Sequence, residues 1–261
     1  MFASRQVGSR GRLFTFDDLV ASPFGTTTNV YALEAGRRLL VCDTYLGPEA
    51  LRPALEELLR DRDEVVVVNT HADWDHVWGN CLFAAARIIG HRVCRERMMT
   101  GGEADLETYA CWQRGAIKLI PPTVTFEERL ELPEFDVELF FSPGHTQDSI
   151  TLYDHKDRVL VVGDNAERPI PSCIDPANLD AHIDSLKGYL AYTIGAIVPG
   201  HGELLAAADI RANIAYLEAL RQSNASPYEE EPYRLNHLEN LRLIRSWPGR
   251  RRGRGTHKAV L

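Results

Sequence analysis

Lysine is nearly missing. Only Lys118, Lys156, Lys187 and Lys258 occur in 261 residues, so arginine carries almost all the positive charge. Cysteine is sparse as well: Cys42, Cys81, Cys94, Cys111 and Cys173 make an odd count with no CxxC pair. That speaks against a disulfide framework or a thiolate zinc finger, and for reduced thiols in a cytosol. Cys42 and Cys173 read as small buried apolar residues. No apolar run approaches the roughly 18 residues of a membrane span, and the start, MFASRQVGSRGRLF, lacks the apolar segment of a secretory signal. A cytoplasmic location without a membrane partner is therefore expected. There is no GxSxG, which removes the serine-hydrolase elbow, and no internal repeat.

What is present is an ordinary globular composition, 44% apolar and 25% charged, long enough to bury a full core. The net charge of -8 argues against a general polyanion binder. The charge is uneven, because six Arg and one Lys, without an acid, stand between Leu241 and Lys258 and leave the rest of the chain at -15. The run ends in the Arg/Gly-rich stretch 249–255 and reads as a frayed, solvated tail. Nucleic acid is not expected as a partner.

Alternating and β-branched runs predict strands over 29–33, 38–42, 65–68, 87–89, 137–141, 150–153, 158–162 and 196–198. Helical spacing appears over 48–60, 79–86, 104–114, 179–192, 206–222 and near 233–244. The interleaving argues for an α/β arrangement in which helices cover sheets. One catalytic domain (1–225) is expected, followed by a C-terminal helix and the tail (226–261), attached to that domain or frayed from it.

Chemistry concentrates where a buried strand over 65–69 runs into Thr70-His71-Ala72-Asp73-Trp74-Asp75-His76. Two imidazoles and two carboxylates within six residues suit Zn, Fe or Mn, and adjacent Asp73 and Asp75 repel unless a cation sits between them. Three further groups each follow a strand-like run beside glycine: Pro143-Gly144-His145-Thr146, Gly163-Asp164-Asn165 and Pro199-Gly200-His201-Gly202. The pattern places all these side chains at one edge of a sheet. The other histidines, His91, His155, His182, His237 and His257, lack that context. Asp43, Thr70 and Thr146 are placed to hold metal-bound imidazoles. Trp74 and Trp78 read as shields of the loop, and Tyr109, Trp112 and Tyr189 as helix packing rather than as a pocket wall.

These motifs, in this order, resemble the metallo-β-lactamase superfamily of dinuclear metallohydrolases: HxHxDH, a PGHT-type His, an Asp closing a GD strand and a PGHG-type final His. The resemblance implies a four-layer αββα sandwich with a metal pair at one edge of the two sheets. It implies His71, Asp73 and His145 on one metal, Asp75, His76 and His201 on the other, and Asp164 bridging. One position departs, since Asp73 stands where the common pattern has its second His, giving HxDxDH. A third carboxylate lowers the net site charge from about +2 to about +1 and favours iron or manganese over zinc. Glu occupies that position in the flavodiiron branch, to which the likeness is partial. The expected cofactors are thus two divalent or trivalent ions, Zn, Fe or Mn. The expected function is hydrolysis of a small-molecule ester, lactone, thioester or phosphoester by a metal-bridging hydroxide, with Asp75 orienting the nucleophile or passing a proton. The alternative is an iron protein of the same fold with oxidative or oxygen-binding chemistry. Homo-oligomerisation stays open.

Overall fold

The computed structural model describes residues 1–172 and 176–246. The first half contains β1 (Phe2–Val7), β2 (Gly11–Phe16), β3 (Thr28–Ala35), β4 (Arg38–Cys42), α1 (Pro48–Leu59), β5 (Glu64–Val68), α2 (Trp74–Val77), β6 (Arg87–His91), α3 (Arg92–Thr108) and β7 (Val124–Phe126). The second contains β8 (Arg129–Leu132), β9 (Val137–Phe141), β10 (Ile150–Asp154), β11 (Val159–Gly163), α4 (Leu179–Tyr189), β12 (Ala196–Pro199), α5 (Ala207–Arg221) and α6 (Arg234–Ser246). Strands β1 to β7 lie side by side in chain order in one sheet. The other sheet runs β12-β11-β10-β9-β8.

Side chains alternate across a strand, so each central strand feeds two cores. On β4, Leu39 and Val41 pack with Leu51 and Leu55 of α1 and with Trp78, while Leu40 and Cys42 face Leu139, Leu152 and Val161 of the second sheet. Leu160, Val162 and Ile197 point the other way, onto Ile183 and Leu186 of α4 and Ile210 and Leu217 of α5. Each fully buried aliphatic contributes about 2 kcal/mol. Helices, two sheets and helices therefore stack as four layers, the αββα sandwich. Helix α6 is tied on through Asn240, whose amide donates to the Pro171 carbonyl at 2.9 Å and to Tyr216 Oη at 2.9 Å.

All eight expected strands are present. Of the four extra ones β7 and β8 are short edge strands, β1 is an edge strand with only Val7 buried and so no alternation to read, and β2 is an internal strand between β1 and β3. The helix expected over 104–114 begins at Arg92 and ends at Thr108, with only Cys94, Met98 and Gly102 buried, a stripe too narrow to stand out. The helix expected over 79–86 is a 3-10 turn, Trp78–Phe83. Asn80 pins it, bonding Thr44 and Asn69 side chains and the Ile120 carbonyl at 2.8–3.0 Å. Cys42 is buried as expected. Cys173, His257 and the Arg/Gly stretch lie outside the described residues. Among those described, no helix is long and apolar enough to cross a membrane.

Candidate metal centre

Five strands end at one rim of the sandwich. β4 leads into Asp43, β5 into Thr70-His71, β9 into the loop bearing His145, β11 into Asp164 and β12 into His201. Parallel pairing of β4 with β5, and of β11 with β12, puts these carboxyl ends together, where open α/β sheets bind ligands. The ligating atoms of His71, Asp73 and His145 all lie within 4.8 Å of one another, as do those of Asp75, His76 and His201. Asp164 lies between the triads. Its Oδ2 is 3.0 Å from His201 Nε2 and 3.6 Å from Nε2 of both His71 and His145, and its Oδ1 is 3.4 Å from His76 Nε2.

All four imidazoles turn Nε2 inward because Nδ1 is engaged outside. His76 Nδ1 meets Asp43 Oδ2 at 2.9 Å, His71 Nδ1 meets Thr70 Oγ1 at 3.0 Å, and His145 and His201 meet the carbonyls of Ser172 and Thr27 at 3.3 and 2.7 Å. With Nδ1 as donor, each Nε2 presents a lone pair to the centre. Asp43, with φ 62°, also accepts from Thr70 N and Oγ1 at 2.8 and 2.7 Å, so one carboxylate orients two rings. Thr146 does not join this outer set. Its hydroxyl bonds Ser149 Oγ at 2.9 Å and closes a turn.

These residues fit a pair of cations. His71 Nε2, His76 Nε2 and Asp164 Oδ1 are buried without a hydrogen-bond partner, a costly arrangement for polar atoms that nothing positive satisfies. Separations of 3.4–3.6 Å between the inward nitrogens and carboxylate oxygens are long for hydrogen bonds. They match two donors sharing one ion at ~2.1 Å, which stand about 3.4 Å apart in tetrahedral geometry. The electrostatics agree. Burial opposes the charge on Asp73, but His71, His145 and Arg97 outweigh it and hold the carboxyl well below its usual range. His201, His76 and His71 do the same for Asp164. Burial also opposes each imidazolium, yet Asp164, Asp75 and Asp43 push His76 well above its ordinary value. Asp73 and Asp164 raise His145 to about 9, and Asp164 and Asp75 raise His201 to about 10. The carboxylates demand positive charge, which protons supply until a divalent cation displaces them.

Of three further neighbours, Arg97 and Glu167 carry no signal in the sequence motifs, and Asn165 stands in one beside Asp164. Arg97 of α3 donates from Nη2 to Asp73 Oδ1 at 2.7 Å and from Nη1 to Asp148 Oδ1 at 2.5 Å. Asp73 therefore has one oxygen held by Arg97 and only Oδ2 turned toward His71 and His145. Asn165 accepts from His145 N at 2.9 Å and donates to the Ser142 carbonyl at 2.5 Å, fastening the β9 loop to the end of β11. Glu167, partly buried, brings a carboxylate within 4.8 Å of the ligating atoms of His145 and Asp164. Burial, then Asp164, pushes it up to about 7.

Behind the β9 loop, His182 of α4 is 2% exposed and donates from Nε2 to the Asn165 carbonyl at 2.6 Å. Burial pushes its imidazole from 6.5 down to about 4. The unfolded chain takes up a proton below 6.5 that the folded form refuses until about 4, so stability falls with falling pH across that window. The loss is up to about 3 kcal/mol. His182→Gln is expected to flatten this stretch of a plot of denaturation midpoint against pH, and an unchanged slope would contradict the assignment.

Gly200 has no room for a side chain: a Cβ there would collide with Asp164 Oδ1 and lie 2.8 Å from His76 Cε1. Gly200→Ala is expected to keep the fold by circular dichroism while cutting cation affinity by at least about tenfold, as support residues of metal sites do. Wild-type affinity in that variant would show that the triads tolerate separation.

The sequence profile of the Metallo-beta-lactamase superfamily matches residues 24–201. The chain belongs to this superfamily. Membership gives it the metallo-β-lactamase fold and implies divalent cations as the cofactor. Two curated relatives, the proteins named acyl-coenzyme A thioesterase MBLAC2 of Bos taurus and of Homo sapiens, are each 24% identical over 165 residues, 54% of this chain and 58% of theirs. The chain thus spans somewhat more than half the length of the curated relatives it matches. Among solved structures, VMB-1 superposes with a TM-score of 0.70 at 14% identity, covering 84% of this chain and 98% of that one. A metallo-beta-lactamase from Pontibacter korlensis gives 0.66 at 15% identity, over 84% and 99%. Likeness at this level establishes the fold.

Proposed function

We propose that this superfamily member hydrolyses a small-molecule ester, lactone, thioester or phosphoester with two cations, a thioester being the first candidate. The observation that carries this reading is the convergence of four inward Nε2 atoms and three carboxylates on one buried centre. His71, Asp73 and His145 would hold one cation and Asp75, His76 and His201 the other, with Asp164 shared. Such a pair, when bound, supplies Lewis acidity toward a carbonyl or phosphoryl oxygen and lowers the pKa of water from ~15.7 to about 7.

The chain's own residues supply order and proton handling. Asp43, Thr70 and the carbonyls of Thr27 and Ser172 keep the rings in one tautomer. Asp75, 8% exposed, accepts a hydrogen bond from Thr28 Oγ1 at 3.4 Å on Oδ2, the oxygen that also faces His76 and His201 Nε2 at 3.6 Å, and this carboxylate would orient a nucleophile or take its proton. Trp74 stacks on Tyr109 at 4.6 Å and meets Phe24 at 5.5 Å. Phe24 is 45% exposed, so this aromatic group beside the ligand loop offers a wall for an apolar acyl chain.

Third-carboxylate donation weakens Lewis acidity, which favours activated esters over amides, and the curated relatives are named as acyl-coenzyme A thioesterases. Elemental analysis of protein purified without added metal, then a panel of an acyl-coenzyme A, an aryl ester, a lactone, a phosphodiester and a β-lactam, tests the reading. About two equivalents of metal and thioester cleavage well ahead of β-lactam cleavage are expected. A protein that stays metal-free when Fe, Mn and Zn are all supplied, or that is fastest on the β-lactam, would refute it. The carboxylate-rich donor set also favours the oxidative iron reading, and bound iron with visible absorbance but no esterase activity would select that one.

A further inference from the structure

We propose that Glu167 is a fifth protein ligand of the cation position formed by His71, Asp73, His145 and Asp164, and that it selects manganese or iron over zinc there. This rests on the two-cation reading above. Three observations lead to it. An oxygen of the Glu167 carboxylate lies within 4.8 Å of a ring nitrogen of His145, a member of the first triad, and of a carboxylate oxygen of Asp164. His71 Nε2, in the same triad and 1% exposed, has no hydrogen-bond partner. The backbone of Glu167 is held from both sides by one buried side chain, Asn213 of α5, which accepts from Glu167 N at 3.0 Å and donates to Glu167 O at 2.9 Å. Next to it, Arg168 is forked onto Asp209 of the same helix at 3.1 and 2.7 Å. The segment that carries Glu167 is thus anchored to a rigid element, as a ligand needs.

The donor set then contains two imidazoles and three carboxylates. Zinc in protein sites is satisfied by about four donors in a tetrahedron, whereas manganese and iron take more oxygen ligands. Charge points the same way: Asp73, Asp75, Asp164 and Glu167 together balance two divalent ions, and Arg97 already takes up one oxygen of Asp73.

The test compares wild type with Glu167→Gln and Glu167→Asp, all stripped of metal and shown to be folded by thermal melting. Manganese and zinc are titrated separately and in competition, and the visible spectrum is recorded with Co(II). Both variants are expected to lose manganese affinity about 10- to 100-fold, to keep zinc affinity within about threefold, and to absorb more strongly with Co(II) as the coordination number drops. An unchanged manganese-to-zinc ratio and cobalt spectrum in Glu167→Gln would overturn the assignment. So would a wild-type ratio in Glu167→Asp beside a loss in Glu167→Gln, because the carboxylate would then act by charge alone. If Glu167→Gln does not fold, Asn213→Ala, which frees the segment and keeps the carboxylate, is expected to give the same selective manganese loss, and wild-type behaviour there refutes the proposal. A wild-type protein that binds no cation fails the two-cation reading instead, so the two failures are distinguishable.

Discussion

Asp164→Asn is expected to reduce the bound metal from two equivalents to one or fewer and to lower hydrolytic turnover at least about a thousandfold. Both oxygens of this carboxylate are committed in the geometry. Oδ2 faces His201, His71 and His145, and Oδ1 faces His76. The amide keeps the shape but removes one negative charge shared by both triads and aims an N–H pair at lone pairs. Attraction between unit charges about 4 Å apart is ~4 kcal/mol at an effective dielectric near 20, or about three powers of ten in affinity. A second readout needs no metal. In the cation-free protein burial opposes the charge on His201, and Asp164 is the largest influence raising it to about 10. In the Asn variant His201 should deprotonate well below that value, as followed by imidazole NMR. Two equivalents of tightly held metal in Asp164→Asn would remove Asp164 from between the triads.

The strands and the inward-facing set were readable for one reason. A buried strand of Val, Leu and Ile has no competing pattern, and each of His71, Asp73, His145, Asp164 and His201 follows such a strand within a few residues. The two-period alternation that divides β4 between two cores is the same signal. What was not readable depends on contacts between distant segments. Arg97 sits in RVCRERMMTGGEADLET, where Arg92 and Glu96 pair on the surface, and nothing local separates the arginine that reaches Asp73 from the one that does not. Glu167 is set by Asn213, 46 residues on. The Ser172 and Thr27 carbonyls that orient His145 and His201 are backbone groups, invisible in any side-chain motif. Thr146 misled because a hydroxyl after histidine suits a turn as well as an imidazole. Trp78, 1% exposed, shields the loop as expected, but Trp74 belongs to the aromatic group with Tyr109 and Phe24.

Asp73→His is expected to shift metal preference toward zinc by at least about tenfold, at a cost in stability that the motif alone does not foresee. The substitution exchanges a hard oxygen donor for an imidazole and raises the site charge by one, and both changes suit zinc. Asp73 is not a bare carboxylate, however. Arg97 binds its outer oxygen at 2.7 Å and reaches on to Asp148 Oδ1, and Asp148 is fully buried with Oδ2 lacking a hydrogen bond. An imidazole at position 73 leaves Arg97 with Asp148 alone and sets it against a neutral or positive ring. Breaking a fully buried pair costs about 3–5 kcal/mol. Arg97 is 38% exposed, so water screens it, and about 1–2 kcal/mol is the expected loss. For a domain of this size that lowers the melting temperature by several degrees. Asp73→Asn separates the two contributions to metal choice, because it removes the charge without adding a nitrogen ligand. A zinc shift in the His variant alone assigns the preference to ligand type, and equal shifts in both assign it to charge. No shift in either would mean that Asp73, held by Arg97, is not a metal ligand, and the departure from HxHxDH would then serve the guanidinium rather than the cations.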